Sequence, residues 1–131
     1  MTPDLLCLLV LALWSIPLNH TPAIARVTKA GVQWGLGNRD ETPEVGSWVE
    51  RADRAQRNHH DNLAAIAIVI LIAHLSGHAN HITAIASICL VSFRILHSII
   101  YMAGIPIVRT AAYFGYIVSL LVIVWQLFAP A

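Results

Sequence analysis

The segment Glu50–Asn62 constrains the fold more than any other, because it is dense in charged and amide groups yet contains no proline or glycine. It runs without a turn signal into the apolar run Leu63–Leu75. A single helix through both would carry polar groups to a membrane boundary and partly below it, where charge is costly and is usually retained for a site. At ~100° per residue, an arc of roughly 80° then carries cations, an amide and a carboxylate. These residues are Arg51, Arg54, Asn58 and Asp61, with Arg57 close beside them. Such a face suits a small zwitterionic or polyanionic ligand.

The composition indicates that the solvent of this chain is a lipid bilayer. Of its 131 residues, 57% are hydrophobic and 11% are charged, whereas a soluble domain is about 25% charged. So small a domain could not bury this much apolar surface in its own core. The net charge of +1 at pH 7 argues against an electrostatic nucleic-acid binder. The length predicts a single domain over residues 1–131.

Four segments are long enough to cross a membrane, and they predict an all-α bundle of four transmembrane helices. The spans are expected at about residues 5–25, 58–76, 82–102 and 107–128. The second span reaches the ~20 residues that a crossing needs only if it includes the polar residues 58–62. The first is expected to be broken late, at Pro17 and Pro22. The links 77–81 and 103–106 are tight, so the last three helices should be antiparallel neighbours.

The distribution of basic residues predicts the orientation of the chain. Six of the eight Lys and Arg residues lie between the first and second spans. By the positive-inside rule the connection, a loop over about residues 27–47, is cytoplasmic and both termini are outside. Ala23–Ala25 resembles a signal-peptidase site, but no basic residue precedes it and Asp4 lies where a positive charge belongs. The first span is therefore expected to be retained.

Polar residues on the other spans are expected at the same depth as the charged face of the second. Those on the third span cover an arc of roughly 60°. Among them, Arg94 lies midway along the span, where a lone cation costs at least ~2.5 kcal/mol. It must therefore face the interior or a wet cavity. The third span carries Arg94, His97 and Tyr101, the fourth carries Arg109, Tyr113 and Tyr116, and the first ends at Arg26. This convergence of cations and phenols predicts one site.

Each of these residues also has a purely structural interpretation. Arg51 and Arg54 would equally suit anionic headgroups, and Arg57 and Asp61 have the spacing of a helix-stabilising ion pair. The tyrosines of the fourth span equally suit an interface belt. Arg94 is alternatively a structural counter-ion, either to Asp61 or to a neighbouring subunit.

Histidines and cysteines give no sign of a metal centre. His74, His78 and His81 straddle a predicted turn and lack a nearby carboxylate, so metal binding is not expected. Cys7 and Cys89 lie inside apolar runs without zinc-finger spacing, which predicts neither a disulfide framework nor a structural zinc site.

The order and spacing of the polar motifs resemble those of the MAPEG family, the membrane-associated proteins in eicosanoid and glutathione metabolism. That family includes microsomal glutathione transferases and microsomal prostaglandin E synthase. The motifs are Glu50-Arg51-x-x-Arg54-Ala-x-Arg57-Asn58-x-x-Asp61, Arg94-x-x-His97-x-x-x-Tyr101 and Pro106-x-x-Arg109-Thr110-x-x-Tyr113. With Arg26 and the four-span order, the resemblance covers the whole chain.

The resemblance implies a four-helix protomer assembled as a homotrimer, with glutathione as co-substrate bound between adjacent subunits near the cytoplasmic side. It implies glutathione-binding roles for Arg26, Arg51, Arg54, Arg57, Asn58, Asp61, Arg94, His97 and Tyr101. It implies catalytic roles for Arg109, Thr110 and Tyr113. The chain departs from the family at Asp61, which replaces a glutamate, and at Thr110, which replaces a serine. The shorter link before Pro106 leaves the register of the last helix open by one residue.

The chemistry of glutathione agrees with these residue types. Arginine forks suit its two carboxylates, Asp61 suits its ammonium, and Asn58 can donate and accept. The thiol reacts as a thiolate, and its free pKa is ~8.5. To lower that pKa by two units, the site must favour the thiolate over the thiol by about 2.7 kcal/mol. We expect Arg109 to stabilise the thiolate, helped by the hydroxyl of Thr110 or Tyr113 and by the positive start of the last helix.

The resemblance and this chemistry together predict a membrane-bound glutathione transferase that acts on lipophilic electrophiles arriving from the lipid, with glutathione peroxidase activity as the lesser expectation. The small size and the basic inner loop favour a bacterial cytoplasmic membrane, with an organellar membrane as the alternative. A non-catalytic lipid-binding or scaffold membrane protein of the same fold is the alternative. A small channel or transporter subunit, with Arg94 and Arg109 along an anion path, is a third hypothesis. It predicts conductance in liposomes and no affinity for glutathione.

Overall fold

The computed structural model describes residues 1–129, which form helices and loops and contain no strand. The predicted all-α class is therefore confirmed. In chain order the helices are α1 (Pro3–Ala30), α2 (Val32–Leu36), α3 (Ser47–Leu75), α4 (His81–Ala103) and α5 (Pro106–Gln126).

Local sequence signals account for most helix boundaries. The Thr2 side chain accepts the Leu5 N–H and a proline follows in the first turn, so α1 begins there. Asn80 forms a reciprocal capping box with Thr83 at the start of α4. Gly104 then ends α4 with a φ of 80°, a left-handed conformation that glycine adopts without strain.

α3 is one uninterrupted helix through the charged segment and the apolar run, as the absence of turn residues predicts. Its first half turns Val49, Ala52, Ala55 and His59 into the protein, and its second half turns Ile66 and other apolar residues inward. The charged segment is therefore rigidly continuous with a buried apolar helix.

α1 departs from the predicted pattern because it is not broken at Pro17 or Pro22 and continues to Ala30. The predicted loop over residues 27–47 is correspondingly too long, since it begins inside α1 and also contains α2. The reason is tertiary: polar contacts along the α1–α3 interface support the helix past its prolines. They join Ser15 Oγ to His59 Nε2 at 3.0 Å, Gln56 Nε2 to Asn19 Oδ1 at 3.2 Å, and Arg26 to Asp53.

The four long helices pack around a shared apolar core. α4 packs extensively against α5, α1 packs against α3 and α4, and α3 contacts both α4 and α5. Leu11, Ile66, Ile70, Leu90 and Ile123 are essentially inaccessible to solvent at the centre. This arrangement places the polar faces of α3, α4 and the start of α5 side by side.

Three helices are long and apolar enough to cross a membrane, namely α1, α4 and α5. α3 has the length of a span, but its polar first half leaves it less apolar than these three helices. Its crossing stays a prediction. α5 ends at Gln126, slightly before the predicted limit of 128.

Close packing of α4 on α5 depends on Gly115, where an added Cβ would lie 2.8 Å from the Phe93 ring. We expect Gly115→Val to lower the melting temperature of the detergent-solubilised protein, because overpacking costs ~1–3 kcal/mol. Ala111→Val adds a branched side chain at an exposed position one turn earlier on α5, and it should melt like the wild type. Equal melting temperatures for the two variants would contradict this account of the α4–α5 contact.

Candidate functional site

Two adjoining cavities open where α3, α4 and α5 meet, and together they are called the α3–α5 recess. The larger, of about 330 Å³, is lined by Asn58, His97, Tyr101, Arg109, Thr110, Tyr113 and Phe114. The smaller, of about 170 Å³, is lined by Arg51, Arg54, Tyr101, Gly104, Ile105, Pro106 and Arg109. Tyr101 and Arg109 line both cavities. The larger alone reaches the lower end of the ~300–1,000 Å³ range of small-molecule sites.

The recess brings together predicted site residues from three helices. α3 contributes Arg51, Arg54 and Asn58, α4 contributes His97 and Tyr101, and α5 contributes Arg109, Thr110 and Tyr113. The convergence that the sequence predicted for α3, α4 and α5 is therefore present in the fold.

Arg109 lies in the first turn of α5 and lines both cavities of the recess. Its Cζ lies 4.6 Å from the centroid of the Tyr101 ring, the geometry of a cation–π contact. Within residues 1–129 the one salt bridge joins Arg26 to Asp53, so Arg109 has no carboxylate partner there. Its guanidinium and the positive end of α5 both favour an anion at this point.

Aromatic side chains form the inner wall of the recess. His97 is buried, with its ring centroid 5.6 Å from that of Tyr101 and 6.1 Å from that of Tyr113. The buried Nδ1 of His97 has no hydrogen-bond partner in the described part of the chain. A polar atom with this burial is costly to leave unpaired. His97 therefore has one ring nitrogen without a partner within residues 1–129.

Arg94 does not line the recess but holds one of the residues that do. Its side chain is fully buried, and Nη1 donates to Asn58 Oδ1 while Nη2 donates to Asn58 O, both at 3.0 Å. A guanidinium only donates hydrogen bonds, so the atom of the Asn58 amide that faces Arg94 is its oxygen. The amide nitrogen stays available, which makes Asn58 a donor toward the recess.

This contact corrects one of the alternatives for Arg94, the pairing with Asp61. The structure pairs its guanidinium with an amide and a backbone carbonyl on α3, not with Asp61. The side chain is enclosed between α3, α4 and α5 and lines neither cavity, and its contact with glutathione stays a prediction. The spacing of the α4 motif predicted an inward face without indicating which residue of α3 lies opposite.

Arg51 combines a place in the smaller cavity with a structural contact. Its Nε donates to the Met102 carbonyl at 2.9 Å, and its Nη1 donates to Ser47 Oγ at 3.2 Å. A cation at the last carbonyls of α4 stabilises that helix end. A Cβ on Gly104 would lie 3.1 Å from Arg51 Nε, so glycine permits this approach. Gly104 was missed as a lining residue, although its place in the tight link before Pro106 was a usable signal.

Thr110 is turned away from the role that the resemblance implies. Its Oγ1 donates to the Pro106 carbonyl at 2.9 Å, a common back-bond of threonine within a helix. In this rotamer the hydroxyl proton is not available to a thiolate. Tyr101 and Tyr113 contribute the two phenols in the lining of the larger cavity, which also includes Arg109.

Three other predicted residues lie outside the recess. Arg26 makes a two-pronged ion pair with Asp53 on the α1–α3 interface. Arg57 and Asp61 are exposed on α3, line neither cavity, and do not form the ion pair that their spacing allows within residues 1–129. Helical periodicity places them on the outer edge of the charged face, beyond the reach of α4 and α5.

A larger cavity lies elsewhere, and none of the predicted site residues lines it. It has a volume of about 560 Å³ and lies between the end of α1 and the start of α3. Its lining is mainly apolar and includes Lys29 and Trp48. No group of three or more His, Cys, Asp or Glu side chains within residues 1–129 is arranged to hold a metal ion.

The family model described as "MAPEG family" matches residues 4–129 of the chain. No curated protein and no solved structure matches the chain significantly.

The Arg94–Asn58 contact predicts a large effect for a conservative substitution. We expect Arg94→Lys to reduce stability by ~1–3 kcal/mol, because lysine keeps the charge but cannot make both hydrogen bonds from one planar group. The melting temperature in detergent measures this. Arg54→Lys is the matched control at an exposed position of α3, where changes are usually within ~0.5 kcal/mol. An unchanged melting temperature for Arg94→Lys would contradict the structural role of the pair.

Proposed function

Because this chain belongs to the MAPEG family, we propose that it is a membrane-embedded glutathione transferase that binds glutathione in the α3–α5 recess. The observation that carries the proposal is the meeting of Arg109 and Tyr113 of α5 with the cations and amide of α3 and the Tyr101 phenol of α4 in one recess. An unpaired guanidinium beside phenol rings at the end of apolar helices favours a small anion over water.

The groups of glutathione find suitable partners in and around the recess. Its carboxylates suit the guanidinium groups of Arg51 and Arg54 and the free N–H of Asn58. Its ammonium suits Asp61, which is exposed on α3 one turn after Asn58. Its sulfur suits the position beside Arg109. Each pairing follows from charge and from the hydrogen-bonding capacity of the side chain.

In the proposed reaction Arg109 stabilises the thiolate and thereby lowers the pKa of the bound thiol from its free value of ~8.5. The thiol proton is released to water, and the sulfur attacks the electrophilic carbon of a lipophilic substrate. A carbon–sulfur bond forms as the bond to the leaving group breaks, and the leaving group departs with the electron pair. The Tyr113 hydroxyl is better placed to assist than Thr110, whose proton is engaged by Pro106.

We extend the proposal to assembly and topology. In a homotrimer, the exposed Arg57 and Asp61 of one protomer would lie against a neighbour or its ligand, which would relieve their exposure to lipid. The connection between α1 and α3 is proposed to be cytoplasmic, with both termini outside a bacterial cytoplasmic membrane. This follows the distribution of Lys and Arg along the chain.

A second candidate function is lipid binding without catalysis. The 560 Å³ cavity between α1 and α3 favours it, because apolar walls beside Lys29 and Trp48 suit an amphiphile with an anionic headgroup. This candidate does not require the recess to bind glutathione.

A glutathione titration of the purified protein in detergent distinguishes the two. We expect binding at millimolar glutathione or below, with growth of the ultraviolet absorbance of the thiolate at neutral pH. Adding an aryl halide should then consume glutathione and release halide. Absence of binding at millimolar concentrations would rule out the transferase and leave the lipid-binding function.

Arg109 and Asn58 should separate turnover from binding. We expect Arg109→Ala to cut turnover at pH 7 by about 20-fold, the loss of thiolate when a thiol pKa returns upward by two units toward ~8.5. Turnover of this variant should keep rising through pH 8.5, whereas the wild type levels off about two units lower. Asn58→Ala should mainly raise the dissociation constant of glutathione.

Lys29→Ala provides the control, because Lys29 is an exposed cation outside the recess. Its turnover and glutathione affinity should match those of the wild type. The reverse pattern, in which Arg109→Ala weakens binding and leaves the pH profile unchanged, would assign thiolate stabilisation to another residue.

A further inference from the structure

Tyr116 and Asn62 lie behind the recess and line neither of its cavities. Tyr116 is 1% exposed, which makes it one of the largest fully buried side chains of the protein. Its hydroxyl donates to Asn62 Oδ1 at 2.8 Å, which joins α5 to α3. A buried phenol of this kind usually needs a polar partner, and this one finds it on the helix that carries Asn58.

Asn62 connects Tyr116 to Asn58 through two hydrogen bonds. Because Oδ1 of Asn62 accepts from Tyr116, its amide nitrogen is the group that faces its own helix, and it donates to the Asn58 carbonyl at 2.7 Å. The same carbonyl accepts Nη2 of Arg94 at 3.0 Å. Two side chains from different helices thus hold one backbone oxygen of α3.

The ring of Tyr116 also contacts Arg94, the second side chain that holds Asn58. Cζ of Arg94 lies 4.7 Å from the centroid of this ring, the distance of a cation–π contact. The same guanidinium holds Oδ1 of Asn58 through Nη1. Tyr116 therefore supports Asn58 along two routes, through Asn62 to its backbone and through Arg94 to its side chain.

We infer that Tyr116 and Asn62 are positioning residues that fix the Asn58 amide with its N–H donors toward the recess. The inference rests on the proposed function, because Asn58 is the residue of this network that would contact glutathione. A side chain held at both its backbone and its amide oxygen loses little freedom on binding a ligand, which is the benefit of preorganisation.

The test uses the whole protein in detergent and measures the dissociation constant of glutathione by calorimetry. Tyr116→Phe removes the hydroxyl and keeps the ring over Arg94. We expect it to raise the dissociation constant about fivefold, the equivalent of ~1 kcal/mol for one hydrogen bond. Ser119→Ala is the matched control on α5, since it removes a buried hydroxyl that donates to Gly115 O and has no link to Asn58.

A double-mutant cycle separates positioning from a general loss of stability. In the Asn58→Ala background, Tyr116→Phe should change the dissociation constant by less than about twofold, because the residue through which it acts is gone. A purely structural contribution would persist in that background. Asn62→Ala breaks the same connection from α3 and should reproduce the effect if Tyr116→Phe does not fold.

The outcomes distinguish the two proposals. Wild-type protein that does not bind glutathione contradicts the proposed function and this inference with it. Wild-type protein that binds, together with Tyr116→Phe and Asn62→Ala variants of unchanged affinity, contradicts the inference alone. An equal loss of affinity in Ser119→Ala, or the same loss in the Asn58→Ala background, also overturns it.

Discussion

A buried guanidinium organises this protein. Arg94 lies in an apolar helix, where an unpaired cation is costly, and it is partnered by an amide and a carbonyl of Asn58 and not by a carboxylate. The hydrogen bonds are satisfied at Nη1 and Nη2, yet the positive charge is not neutralised. An uncompensated charge in a medium of low dielectric acts over a long distance. The interior beside the recess is therefore biased toward anions even before Arg109 is considered.

The same requirement explains why α3 is polar far along its length. Asn58 must reach Arg94 on α4, while His59 and Gln56 on other faces reach Ser15 and Asn19 of α1. A helix that supplies polar partners on both sides carries polar residues there, and this is why α3 is less apolar than α1, α4 and α5. Its polar groups divide between those that contact other helices, among them Asp53, Gln56, Asn58 and His59, and an exposed set that includes Arg54, Arg57 and Asp61.

The sequence predicted the features of the fold that depend on helical periodicity and on turn residues. The continuity of α3, the tight link at Gly104 and the meeting of Tyr101 with Arg109 all follow from spacing within single helices and from short connections. The partner of Arg94, the back-bond of Thr110 and the extension of α1 do not, because they depend on which side chain lies opposite in space. Periodicity defines a face of a helix, but tertiary packing decides what that face meets.

The exposed edge of α3 shows how far one protomer satisfies its own charges. Asp53 is paired with Arg26, whereas Arg57 and Asp61 are exposed and unpaired within residues 1–129. Two opposite charges one turn apart that do not pair with each other gain most from partners brought by something else. A zwitterionic ligand in the recess and a second protomer beside α3 would each supply such partners. Because both would bear on the same edge, the proposed ligand and the proposed contact between protomers would be thermodynamically coupled, with each strengthening the other.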